Sequence, residues 1–298
     1  MDEMWSAPYL SFLGLDPVDP GEARILVLPV PYDLTTSYQP GARRGPLALL
    51  EASTHAELYD ELLADEPSRL GVATLPPLVP ATQGPAAMAA RVEAAARRWV
   101  SAERFLLAVG GEHSVTPPLV AAHRDLWPGL TVVQVDAHAD LRDSFEGSPH
   151  NHACAMRRIR EMGLRLVQVG VRSLTRAERL LVEQDPMITT FFAHDLAGRS
   201  PDEWTREVAE RVAGPFYLTV DVDGLDPSIM PATGTPEPGG LDWHGISRLI
   251  QRLAQSGPMV GGDLVELSPI PGLAAPDFLA ARLALRMAGF AARSRGWL

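Results

Sequence analysis

The chain has 298 residues, 46% of them hydrophobic and 21% charged, with a formal net charge of −11. That length and apolar content support a full-sized globular core, and an acidic balance with basic residues scattered singly or in pairs excludes nucleic acid as a partner. All 26 basic residues are arginine, and a chain without lysine holds neither a Walker A phosphate loop nor a lysine Schiff base to pyridoxal phosphate.

The single cysteine, Cys154, has no internal partner, which fits a reducing compartment. The N-terminal MDEMWSAPYL lacks the basic-then-apolar pattern of a signal peptide. No stretch reaches the ~20 apolar residues of a membrane span. The expectation is a soluble, cytoplasmic protein with no membrane partner.

In chain order, strands are predicted at 23–30, 70–75 (the weakest), 104–111, 130–137, 164–171, 187–193, 215–223 and 258–267. Each run is almost continuously apolar, as parallel strands covered on both faces are. Helices are predicted at 46–64, 85–102, 175–184, 202–213, 242–255 and 276–292, several of them opening near a proline. Strand and helix alternate over the whole length without linker or repeat. This predicts one domain spanning residues 1–298, a three-layer α-β-α sandwich on a mainly parallel sheet of about eight strands. The Pro/Gly-rich stretch at 226–240 is long enough to imply a function.

Polar residues gather where the strands end. RFLLAVGG runs into Glu112, His113 and Ser114, LTVVQV into Asp136, His138 and Asp140, FYLTV into Asp221 and Asp223, and PMVGGDLV into Glu266. Side chains two apart on a strand share a face, and open parallel sheets build their sites at these carboxyl ends. Bare carboxylates buried there are costly unless something positive compensates them. Taken singly, such an Asp could cap a helix and such a His could be structural. Three motifs in phase point instead to function.

The tally is four Asp and two His with no thiolate, a set that suits hard or borderline divalent cations, Mn²⁺ best and Zn²⁺ less well. Six donors exceed the needs of one ion. Two ions roughly 3.5–4 Å apart, sharing carboxylates and a water, would use them all.

GGEHS at 110–114, DAHAD at 136–140 and DVDGLDP at 221–227 together resemble the three signature motifs of the ureohydrolases. These are the arginase/agmatinase family of dimanganese enzymes that hydrolyse guanidino compounds to urea and an amine. VELSP at 265–269 and GARRGP at 41–46 carry the resemblance over nearly the whole chain. It implies an arginase-like sandwich on an eight-stranded parallel sheet, assembled as a homo-oligomer, trimer or hexamer. By the same resemblance His113, Asp136, Asp140 and Asp221 hold one manganese, and Asp136, His138, Asp221 and Asp223 hold the other.

On this reading the two metals supply hydroxide, which attacks the guanidinium carbon, and Asp140 orients it. Glu266 pairs with the planar guanidinium; its alternative role is a core-edge acid satisfied by an arginine. His152 resembles the family's proton-shuttling histidine for the leaving amine. His150 lies close by, but His-Ala ahead of a helical stretch matches His152 better, leaving His150 as loop lining and Asn151 as a helix cap.

The segments TGTPEPGG at 233–240 and DAHADLRDSFEGSPHNHA resemble the bacterial agmatinase branch, and an Asn-rich loop for an amino acid head group is missing. The expected substrate is agmatine, cleaved to putrescine and urea. Guanidinobutyrate, arginine or another guanidine is the alternative, and a catalytically silent metal-binding protein on the same fold is a further one. Thr235 either helps to position Glu266 or the guanidine, or is an ordinary turn residue. Arg142 either pairs with a surface acid such as Asp143 or Glu146, or receives a substrate carboxylate at the entrance.

Overall fold

The computed structural model describes Met4, residues 10–212 and residues 214–298. Most of MDEMWSAPYL and the last residue of the expected 202–213 helix lie outside the described residues. The strands are β1 (Ile25–Val30), β2 (Val72–Thr74), β3 (Phe105–Gly110), β4 (Thr131–Val135), β5 (Arg165–Val171), β6 (Ile188–Phe192), β7 (Phe216–Asp221) and β8 (Met259–Val265). They form one eight-stranded sheet in the order β2-β1-β3-β8-β7-β4-β5-β6, and every pairing in it is parallel.

Among the described residues the helices are α1 (Gly45–Ser53), α2 (Pro85–Arg97), α3 (Thr116–Arg124), α4 (Ala155–Glu161), α5 (Arg176–Gln184), α6 (Ala193–Leu196), α7 (Pro201–Ala209), α8 (Trp243–Ser256) and α9 (Ala275–Ser294). Alternate strand residues feed two cores. Ile25, Val27, Phe105 and Leu107 pack with α1, α7, α8 and α9, whereas Leu26, Leu28, Leu106 and Ala108 pack with α2, α3 and α4. Both faces are covered, which is why the strands read as unbroken apolar runs. Among the described residues no helix is long and apolar enough to cross a membrane.

Two features depart from the sequence expectation. The helix expected at 46–64 ends at Ser53. Beyond it the Asp60 carboxylate accepts the amides of Leu62 and Leu63 and pairs with buried Arg286 at 2.9 Å, so the chain turns there instead of continuing. No bounded helix is predicted at α3, beyond Pro117 as a place for one to open, and α4 is expected only as the helical stretch after His152. Every residue of α3 except Arg124 is buried, which leaves no amphipathic period to read.

His123 on α3 is buried, stacked on Trp127 and edge-on to Tyr217. Gly261 makes room for the ring, since a Cβ there would lie 2.3 Å from Nε2. Burial pushes the His123 pKa down to about 4, partly offset by its bond to the Leu119 carbonyl. The unfolded chain takes up this proton near pH 6.5, whereas the folded protein does so only near pH 4. The folded state therefore loses stability as pH falls through that window, by up to about 3 kcal/mol at ~1.36 kcal/mol per pH unit. Urea unfolding of chelated protein between those limits should show this slope, and His123→Gln should flatten it. An unchanged slope in the variant would remove His123 as its source.

Candidate metal centre and substrate cleft

The sheet order sets β3, β8, β7 and β4 side by side, although β8 comes last in the sequence. These are the strands whose ends carry the candidate donors. At the end of β3 the chain passes against the first strand's exit: Gly111 N–H donates to the Val30 carbonyl at 2.8 Å. A Cβ at Gly111 would lie 1.8 Å from the Tyr32 carbonyl oxygen, so only glycine permits the approach. The Gly111 carbonyl accepts from Glu266 N–H at 2.7 Å, tying the ends of β3 and β8. Across the other seam, Ala137 N–H donates to Asp223 Oδ1 at 3.0 Å.

Two donor groups result, His113–Asp136–Asp140 and Asp136–His138–Asp223, with Asp136 in both. His113 Nδ1 lies 3.0 Å from Asp136 Oδ2, 3.0 Å from Asp140 Oδ2 and 3.5 Å from Asp221 Oδ2. His138 Nδ1 lies 3.0 Å from Asp223 Oδ2 and 3.6 Å from Asp136 Oδ1. All six sequence-expected donors thus converge.

The donors fit a divalent cation. His113 Nδ1 is buried with no hydrogen-bond partner of acceptable geometry, although carboxylate oxygens surround it, and a cation would complete that arrangement. The electrostatics agree. Burial alone would depress both imidazoles, yet the carboxylates override it and push His138 up to about 12 and His113 well above its usual value. Burial and the charge of Asp136 raise Asp140 to about 7. Asp221 is raised by burial and by Asp223 and Asp136. Asp136, despite burial, is lowered by His113 and His138. Such a packed set of acids is stable at neutral pH when positive charge neutralises it.

Asp140 and Glu266 adopt positive φ, 53° and 64°, a region costly for residues other than glycine. Strain of this kind at two buried acids of one site marks a constraint beyond folding. Glu266 Oε1 accepts from His113 N–H at 2.7 Å and lies 3.9 Å from His152 Nδ1. Burial first and Glu112 second push the Glu266 carboxyl well up. Glu266 pairs with no arginine among the described residues, so the core-edge alternative lacks its partner.

A cleft of about 260 Å³ opens onto the cluster, lined by His138, Asp140 and His152 together with Thr235, Arg142 and Phe145. His150 is not in its wall. The Asn151 side chain caps the turn at His152–Cys154 by accepting Ala153 N–H at 3.0 Å. Thr235 reaches Asp223, its Oγ1 3.4 Å from Oδ2. Arg142 forms no ion pair among the described residues; its guanidinium sits 4.3 Å over the Phe145 ring, while Asp143 pairs with Arg158. Burial, and the charges of His113 and His138, push the His152 pKa down to about 4. Its Nε2 is buried without a partner.

Sequence reasoning missed three organising residues. Glu112, fully buried, accepts Thr35 Oγ1–H at 2.6 Å and Ser114 Oγ–H at 2.5 Å. Thr35 Oγ1 in turn accepts His152 N–H at 3.0 Å, so Glu112 seats His152 through a residue far away in the chain. Arg172 donates to the carbonyls of Asp223 and Glu237 at 2.6 and 2.8 Å, clasping the 226–240 loop to the β7 exit. The only sequence signal was Glu112 beside His113; nothing marks Thr35 or Arg172.

The parallel sandwich and its clustered Asp and His donors define a hydrolase of the arginase-like α/β class. The Arginase family matches residues 23–289, and the chain belongs to that family. It is 40% identical to the N(1)-aminopropylagmatine ureohydrolase of Synechocystis sp. over 275 residues, covering 90% of this chain and 89% of that protein. It is 35% identical to the agmatinase of Pyrococcus horikoshii over 287 residues, covering 96% and 98%. Among solved structures, the agmatine ureohydrolase of Thermoplasma volcanium superposes with a TM-score of 0.83 at 30% identity, covering 96% of this chain and 95% of that one.

Proposed function

We propose that residues 1–298 form a single-domain dimanganese ureohydrolase. Its substrate is a guanidine with a cationic aliphatic tail, N(1)-aminopropylagmatine first and agmatine next, and its products are urea and an amine. The observation that carries this reading is Glu266, a buried acid held at positive φ between His113 and His152 and without an arginine partner among the described residues. A planar guanidinium is the group that such a carboxylate pairs with best.

The proposed ligands are His113, Asp136, Asp140 and Asp221 for one ion and Asp136, His138, Asp221 and Asp223 for the other. Bound divalent cations lower the pKa of water and so provide a nucleophile at neutral pH. Asp140 orients that nucleophile by accepting its hydrogen bond. Glu266 holds the guanidinium carbon within reach. His152 is neutral at pH 7, so it takes a proton as the nucleophile attacks and delivers it to the leaving amine. Thr235 lines the substrate path. The family resemblance supports a homo-oligomer, trimer or hexamer, and the single cysteine, Cys154, supports a reducing, cytoplasmic setting.

The tail preference rests on relatives at 40% identity. Unpaired Arg142 in the cleft wall favours a second reading, a guanidino acid whose carboxylate it would receive. Urea release should separate the two. With N(1)-aminopropylagmatine or agmatine, kcat/KM should exceed that for arginine or guanidinobutyrate by at least about tenfold, the ~1.4 kcal/mol of one charged contact. The opposite order would replace the amine tail by a carboxylate.

A further inference from the structure

Beneath the donor cluster a row of polar side chains crosses five neighbouring strands. Asp263 of β8 is in register with Thr219 of β7, Thr219 with Gln134 of β4, Gln134 with Gln168 of β5, and Gln168 with Thr190 of β6. The first four are 0% exposed, in the middle of strands that are mostly apolar. Polar groups in such a place are costly unless fully paired. None of the five lines the cleft, and their polar atoms bond to one another and to the donor cluster.

Their hydrogen bonds form two directed chains, one ending on the proposed ligand Asp136 and the other starting from the proposed ligand His113. Thr190 Oγ1 donates to Gln168 Oε1 at 2.8 Å, Gln168 Nε2 to Gln134 Oε1 at 2.6 Å, and Gln134 Nε2 to Asp136 Oδ2 at 2.6 Å. On the other side Tyr217 Oη and Thr219 Oγ1 donate to the two Asp263 oxygens at 2.7 and 2.6 Å. With its one proton committed to Asp263, Thr219 Oγ1 can only accept from His113 Nε2, 2.9 Å away. The His113 ring then carries a proton on Nε2, and its Nδ1 lone pair faces the cluster.

We propose that this row orients the metal centre: the Asp263–Thr219 pair sets the tautomer and ring plane of His113, and the Gln168–Gln134 pair sets the carboxylate plane of Asp136. These are positioning residues, and the inference rests on the metal reading above. A carboxylate behind a ligating histidine also makes the ring a better donor.

The test is Mn²⁺ affinity, measured by chelator competition with free Mn²⁺ followed by electron paramagnetic resonance, alongside the unfolding temperature of chelated protein. Thr219→Val, nearly isosteric, should weaken Mn²⁺ retention about 10–100-fold, and Thr219→Ser should restore it. Gln168→Met, which touches no ligand, should weaken it in the same direction and carries the test if the valine variant does not fold. Unchanged affinity in the folded variants, even with a lowered unfolding temperature, would reduce the row to a structural feature and overturn the proposal. Failure of the unaltered protein to bind Mn²⁺ would instead overturn the metal reading itself.

Discussion

Asp136→Asn is expected to abolish metal retention and urea release together. Asp136 belongs to both donor groups, so its loss affects both proposed ions. An amide also removes the negative charge and supplies one oxygen where the carboxylate supplies two. Both oxygens already accept hydrogen bonds, Oδ1 from His138 N–H at 2.6 Å and Oδ2 from Gln134 Nε2 at 2.6 Å. Whichever way the asparagine turns, its NH₂ meets one of those donors, so it is both a poorer ligand and a misfit. The loss should exceed the ~10–100-fold of an outer-sphere change and reach on the order of 10³-fold in turnover, about 4 kcal/mol. Metal analysis after gel filtration, paired with a urea assay, checks it. A variant that keeps two ions per chain would refute the shared-ligand assignment.

Glu266→Gln should do the reverse, keeping the metals and losing the chemistry. Glu266 belongs to neither donor group, and glutamine can still accept the His113 amide through its own oxygen. What disappears is the charge opposite the guanidinium. Leaving a buried cation without its partner costs about 2–5 kcal/mol, so kcat/KM should fall roughly 30- to 5,000-fold. The acid's ionisation is already opposed by burial and by Glu112. At neutral pH a neutral amide removes that repulsion, and the chelated variant should unfold no earlier than the unaltered protein. Two results would count against the assignment: loss of metal in the variant, or catalysis kept within tenfold.

Together the two substitutions separate the centre's components. Asp136 tests the charge proposed to gather the ions, and Glu266 the charge proposed to gather the substrate. A metal-holding but catalytically silent protein would show the first effect and have no activity for the second to remove.

The donor set was legible in the sequence because its geometry is local. Asp136, His138 and Asp140 follow the end of β4, and Asp221 closes β7 with Asp223 just beyond it, so each set sits at the sheet's carboxyl edge, as its place after an apolar run already indicates. The same holds for the apolar runs, which announced parallel strands covered on both faces. The helix expected through 46–64 failed because a distant residue, Arg286, holds Asp60 in a turn. That pairing is invisible to any local pattern.

Tertiary structure alone decided which strands became neighbours. Inserting β8 between β3 and β7 brings Glu266 beside His113 and sets Asp263 against Thr219. It decided the backbone at Asp140 and Glu266 as well, since positive φ at an acidic residue is imposed by its surroundings. The seat that Glu112 and Thr35 build for His152, and the polar row under the ligands, arise from sheet register between segments far apart in the chain. A donor's place at the end of an apolar run is read from one segment, whereas adjacency between strands follows from how the whole chain buries its apolar faces. The sequence by itself therefore determined the kinds of donor present and the strand end each follows; the fold decided how they turn and which of them meet.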